Sequence, residues 1–191
     1  MRIIGEYYHI YNRGAHKAPI FNDGTDYWRF MALLFVANST KRVRFHDLKQ
    51  DLVFSYERGE TLVEIIAYCL MPNHFHILIR EKREDGIGAF IHKICTAYSM
   101  YYNLKYEHSG TIIQGIFKSK HVDTDEYLRY LIQYIHLNPF SIEVPNLNKL
   151  AKSEYFSEAV AYSKKYEYSS YKDFIGEKRA QNQILTKVPQ G

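Results

Sequence analysis

Leu70-Met71-Pro72-Asn73-His74-Phe75-His76-Ile77-Leu78-Ile79 reads as two β segments interrupted by a Pro-Asn turn. Side chains of a strand alternate between its faces. The alternation sends Phe75, Ile77 and Ile79 one way and His74, His76 and Leu78 the other. The apolar set is a core face. The two imidazoles point the same way and can converge on one cation, because neutral imidazole nitrogens are good ligands for divalent metals. Two histidines leave room for a third protein ligand, water and a substrate oxygen. A bare His-x-His also fits a strand with two half-exposed histidines, so the pair needs a second signal.

Outward from this stretch, residues 61–71 form the preceding strand and residues 7–11 an earlier one, punctuated by Asn12-Arg13-Gly14 as a turn. Tyr27, Phe30, Met31, Leu34 and Phe35 recur at helical spacing, predicting a helix over 26–37 capped by Asp23 or Thr25. Residues 38–59, basic through Lys41, Arg42, Arg44, His46 and Lys49, read as an insertion. Gly86 and Gly88 open a helix to Lys105 with the stripe Ile87, Phe90, Ile91, Ile94, Tyr98 and Tyr101. Residues 110–122 read as a β segment broken at Gly115. Asp123, with Glu126 three residues on, predicts the start of a last helix that ends near Asn138, before Pro139. The order β-α-insert-β-β-α-β-α-tail predicts an α+β layer, a sheet with helices packed on it.

The second signal lies on that last helix. Tyr127, Tyr130, Tyr134 and Asn138 share one face, and Tyr134 and Asn138 are one turn apart. A phenol and a carboxamide can then reach the same point, which suits a nucleophile beside a metal ligand. A tyrosine with its ordinary pKa of about 10 needs activation to attack. Tyr127 and Tyr130 read as packing surface, and Asn138 is equally a helix C-cap.

Composition sets wider limits. The 191 residues suit one domain, and 46% hydrophobic residues support a sizeable core. A net charge of +4 permits a polyanionic partner, and 18 tyrosines can serve base stacking as well as a core. Two cysteines, Cys69 and Cys95, match neither a disulfide framework nor a metal motif, so a cytoplasmic location is expected. No apolar leader or membrane-length run is seen, and no P-loop.

These residues together resemble the REP-associated tyrosine transposases, within the wider single-tyrosine HUH transposases. The match runs through Tyr8-His9-Ile10-Tyr11-Asn12-Arg13-Gly14 with Pro19-Ile20-Phe21, then Met71-Pro72-Asn73-His74-Phe75-His76. It continues through Gly110-Thr111 and Gln114-Gly115-Ile116-Phe117-Lys118-Ser119 to Tyr134-Ile135-His136-Leu137-Asn138-Pro139. Tyr168-Ser169-Ser170-Tyr171 resembles a tail motif where the family often has Trp before the serines. The resemblance implies a ferredoxin-like antiparallel sheet over residues 1–191, with an insertion at 38–59 and a C-terminal extension from about 141.

It also implies His74 and His76 as ligands of Mg²⁺ or Mn²⁺, Tyr134 as nucleophile, and Asn138 in the third ligand's place. The implied activity is cleavage and rejoining of single-stranded DNA through a 5′-phosphotyrosine, at hairpin-forming repeats, by a monomer or a homodimer. Arg13, Lys17, Lys118 and Lys120 are candidate phosphate contacts, as are Lys41, Arg42 and Arg44. Two alternatives stay open: a replication-initiator-type nickase, and a domesticated DNA-binding or repeat-processing protein that keeps the fold. Relaxases often place the tyrosine before the histidines, whereas Tyr134 follows them here.

Overall fold

The β strand Val63–Met71 turns through Pro72-Asn73 into the strand His74–Glu81, with Met71 opposite His74. Pro72 has no N–H to offer, and its carbonyl accepts from Ile20 N (2.8 Å) and Phe21 N (3.1 Å), which pins the hairpin tip to the loop after the first strand. The computed structural model describes residues 2–144 and 155–186. In chain order the main elements are β1 Tyr7–Arg13, α1 Gly24–Val36, β2 Val63–Met71, β3 His74–Glu81, α2 Gly86–Lys105, β4 Lys118–Val122, α3 Asp125–Leu137, α4 Phe156–Lys165 and α5 Tyr171–Phe174. The sheet order is β2-β3-β1-β4, and every neighbouring pair is antiparallel. A βαββαβ order with this arrangement is the ferredoxin-like sandwich expected from the sequence.

The two faces of the sheet pack differently. Tyr8, Ile10, Ile65, Tyr68, Leu70, Phe75, Ile77 and Ile79 join Phe30, Leu34, Phe90, Ile94 and Tyr98 of α1 and α2 in the main core. On the opposite face Ala67, Cys69, Met71, Leu78 and Val122 pack against Leu131 and Ile135 of α3. The period-2 alternation therefore serves two layers at once.

Several local expectations change. β1 runs through Asn12 and Arg13, paired with Phe75 and His74, so the turn begins only at Gly14. A Cβ on Gly14 would lie 2.0 Å from the Ala18 carbonyl oxygen, so this close approach requires glycine. Of residues 110–122, only Lys118–Val122 is a strand; Ile113 makes a single bridge to Gly14, and Gly115 at φ +49° breaks the pairing. Thr124 rather than Asp123 caps α3. It is the last extended residue, and its Oγ1 accepts from Tyr127 N at 3.1 Å, with no return bond from Glu126. Asp23 caps α1 as expected, with Asp26 completing a capping box.

Residues 38–59 form two 3-10 turns, Phe45–Asp47 and Gln50–Ser55, and they are more than an appendage. Val53 and Phe54 are buried in the main core, and Asn38 Oδ1 accepts from Leu62 N and Val63 N. The C-terminal part braces the sheet. Tyr168 and Ser170 exchange backbone bonds of 2.9 Å with Leu70 and Tyr68, covering the outer edge of β2 that would otherwise stand unpaired. Ser170 Oγ also accepts from Tyr68 N (2.9 Å) and shares a 2.9 Å hydrogen bond with His136 Nε2 on α3. Burial pushes His136 down to about 4 and keeps it neutral in that role. Residues 145–154 of this extension lie outside the described residues. Cys69 is buried, Cys95 is half-buried, and neither forms a disulfide.

Candidate active site

The α3 face of the sheet carries the candidate site residues. His74 and His76 project from β3 toward α3, and Tyr7, His9 and Tyr11 project the same way from β1. The register sets Tyr11 opposite His76. Tyr134 comes from α3: its ring lies 5.6 Å from that of His76 and 6.3 Å from that of His9. Asn138 caps the end of α3 and is the first residue of the 3-10 turn Asn138–Ile142.

The imidazoles are held by partners that orient them. His74 Nδ1 donates to Asn73 Oδ1 at 2.7 Å, which leaves Nε2 as the lone-pair nitrogen. His76 Nδ1 and His9 Nε2 are bonded at 2.9 Å, both rings buried, so Nε2 of His76 is likewise the outward nitrogen. Burial pushes His76 well below its ordinary value, and the neighbouring His74 and His9 add to the effect. Burial also lowers His74, against a partial pull from Asn138. His9 falls to about 4 through burial and the Lys120 charge. All three are neutral at neutral pH, the state in which imidazole binds a cation.

Asn138 supplies the most informative atom. Its side chain sits beside both His74 and Tyr134, yet its Oδ1 is buried with no hydrogen-bond partner. An orphaned buried oxygen costs roughly 1–3 kcal/mol and calls for a ligand to satisfy it. Asn138 is also the C-cap residue of α3. Two imidazole nitrogens and one carboxamide oxygen fit a Mg²⁺- or Mn²⁺-type cation. Among the described residues, no group of three His, Cys, Asp or Glu side chains could hold a metal.

A cavity of about 590 Å³ opens over this point, lined by His74, His76, Tyr134, Arg13, Lys17 and Lys118 among others. Of the basic residues picked from the sequence, Arg13, Lys17 and Lys118 reach it. Lys120 does not, and instead lies over the Tyr127 ring at 4.6 Å. Lys41, Arg42 and Arg44 are also absent from its lining, and Arg42 and Arg44 border a separate hollow. Lys17 holds φ +63°, a strained backbone for a non-glycine residue, at the rim of this cavity. Burial raises the Tyr134 phenol above its usual value and Asn138 opposes the rise, so it is protonated at neutral pH. His9 and Asn73 were not singled out from the sequence. The alternation that placed His74 and His76 together also places His9 with Tyr11, but pairing His9 with His76 required the sheet register.

A family model described as IS200-like transposase matches residues 33–138, more than half of the chain, including His74, His76, Tyr134 and Asn138. The chain belongs to the IS200-like transposase family. Its fold is similar to that of a REP-associated tyrosine transposase solved bound to a REP hairpin, with a TM-score of 0.58 and 12% identity, over 95% of this chain and 87% of that one. No curated protein matches the sequence. The matched family segment begins inside α1, so β1 and its His9 lie outside it. Among the described residues, no helix of this transposase-family chain is long and apolar enough to cross a membrane.

Proposed function

We propose that this protein cleaves and rejoins single-stranded DNA at hairpin-forming repeats, with Tyr134 as nucleophile and His74, His76 and Asn138 as metal ligands. The observation that carries the reading is the meeting of His74, His76 and Tyr134 at one basic-lined cavity, with the orphaned Asn138 Oδ1 buried beside His74 and Tyr134. The hairpin substrate is suggested by the DNA named for the structural relative. When bound, a divalent cation would supply Lewis-acid polarisation of the scissile phosphate. His74 and His76 present their Nε2 atoms, held by Asn73 and His9. Arg13, Lys17 and Lys118 hold the phosphates of the strand and orient the phosphorus for in-line attack.

The Tyr134 oxygen loses its proton and bonds to phosphorus. The bond from phosphorus to the 3′-oxygen breaks, and that oxygen leaves as a hydroxyl after taking up a proton. The product is a 5′-phosphotyrosine. Attack by another DNA 3′-hydroxyl reverses the step and joins a new strand, so no external energy source is required. Tyr134 faces the histidines of its own chain, which favours action in cis by a monomer. We read residues 1–191 as one HUH unit, with the 38–59 insertion built into its core and the C-terminal extension bracing β2, in a cytoplasmic setting.

The test is covalent trapping: labelled hairpin DNA with a single-stranded flank, Mn²⁺ and denaturing gels. An adduct is expected with the native chain and none with Tyr134→Phe or with His74→Ala/His76→Ala. An adduct surviving Tyr134→Phe would move the nucleophile elsewhere. Mixing Tyr134→Phe with the double histidine variant tests cis action: a restored adduct would mean the tyrosine serves a partner's site. Tight hairpin binding without any adduct from the native chain would favour the non-cleaving, repeat-binding reading.

A further inference from the structure

Tyr130 does not pack as its place on the helix stripe suggests. Tyr127 packs against the cluster beneath α3, while Tyr130 is 56% exposed. Its ring nevertheless keeps an ordered setting: 6.3 Å from Tyr127 at 20° and 6.3 Å from Tyr134 at 21°. Three near-parallel aromatic faces therefore step along α3, beginning at the nucleophile. Lysines run beside them on the neighbouring strand. Lys118 and Lys120 project from β4 opposite Tyr11 and His9, with Lys118 lining the catalytic cavity and Lys120 over the Tyr127 ring. Asp125 and Glu126 follow in the first turn of α3, where like charge would repel phosphate and end the track.

An exposed aromatic in line with two partly buried ones, flanked by cations and continuous with the cavity, fits unpaired nucleobases. Every base has a π-face to stack, and the lysines meet the phosphates between bases. We propose that Tyr130, backed by Tyr127 and Lys120, is a stacking platform for the one or two unpaired bases next to the scissile phosphate. The proposal rests on the strand-cleaving reading for its direction and extends it to a second contact surface beyond the cavity.

The experiment is fluorescence anisotropy with labelled oligothymidylate and with an abasic oligonucleotide of the same length, in EDTA so that no cleavage occurs. Thermal melts confirm that the variants fold, as expected for an exposed position. Tyr130→Ala is expected to weaken oligothymidylate binding by roughly 5- to 150-fold, the loss of one base–aromatic stack. Tyr130→Phe and Tyr130→Trp are expected to bind as the native chain does, because the ring and not the hydroxyl is needed. The abasic strand is expected to be indifferent to Tyr130→Ala, and Lys120→Met to reduce the salt dependence by about one phosphate contact.

Equal binding by Tyr130→Ala and the native chain would overturn the platform. So would Tyr130→Phe losing as much as Tyr130→Ala, or abasic DNA losing as much as oligothymidylate. The trapping assay separates this from the cleavage reading: ring-dependent binding with no adduct would sink the phosphotyrosine step and keep the platform. An adduct without ring-dependent binding would do the reverse.

Discussion

The two faces of one sheet contrast sharply, although the same three-residue run, His74-Phe75-His76, contributes to both. Phe75 enters the α1/α2 face, where it is fully buried against Phe30 at 5.1 Å between rings. Its neighbours His74 and His76 enter the α3 face, where a smaller apolar cluster gives way to buried polar groups and one of them, Asn138 Oδ1, lacks a partner. The first face is filled mainly by apolar side chains, and its buried carboxylate, Glu81, accepts through Oε1 from Ile87 N at the start of α2 while Oε2 has no partner and faces no cation-ready imidazole. The second keeps unsatisfied capacity, held in place by the rigidity of the first. A strand buried on both sides thus couples a core to a site through a single peptide unit.

The largest expected effects separate the faces cleanly. Phe75→Ala should cost about 3–5 kcal/mol of stability by denaturant melt, while the molecules that remain folded bind Mn²⁺ normally. His74→Ala/His76→Ala should do the opposite: Mn²⁺ binding lost by calorimetry, with a smaller drop in stability than Phe75→Ala. Matching stability losses in the two variants would mean the site face is as structural as the core face, and the contrast would fail.

Next in size is His9→Ala. With its Nε2 gone, His76 loses the partner that fixes its tautomer, and Mn²⁺ affinity should fall by about 10- to 100-fold. His9→Gln, which returns an acceptor near that position, should recover part of the loss. Unchanged affinity in His9→Ala would assign the 2.9 Å bond to packing alone. Asn138→Ala should weaken Mn²⁺ binding yet cost little stability, because it removes an oxygen that has no protein partner. A stability loss typical of a broken buried hydrogen bond would show the oxygen to be satisfied after all.

The smallest effect concerns acid. Asp26, fully buried at the start of α1, would be raised by burial, but Lys105 at 2.7 Å, Asn22, Tyr106 and Tyr101 outweigh this and hold it below its ordinary value. A carboxylate lowered in the folded state stabilises at pH above its unfolded value of about 3.9 and loses that contribution as pH falls through the folded one. Denaturant midpoints should therefore decline below about pH 4, and Asp26→Asn should flatten that decline. The same titration should leave the α3 face's geometry, followed by Tyr134 reactivity after return to neutral pH, unaltered.

Much of this was legible in the residue order. Period-2 alternation identified the strand of His74 and His76 and its two faces. The helical spacing of Ile87 through Tyr98 located α2, and Pro139 marked the end of α3. These are local properties, set by backbone geometry within a few residues. The cap fell on Thr124 and not on the expected Asp123, because neighbouring oxygens compete for the same N–H groups and only the backbone's turn into the helix decides. The integration of 38–59 was hidden because Val53 and Phe54 carry no regular period and earn burial only against distant helices.

The site divides along the same line. The sequence alone determined which residue types could do the chemistry and that His74 and His76 share a face, since both follow from covalent geometry and alternation. Only the tertiary structure decided that β1 lies beside β3 with His9 against His76, that Asn138 Oδ1 is left without a partner, and that Tyr130 stays exposed. Those facts depend on strand order, register and the docking of α3, which are set by contacts between residues far apart in the chain.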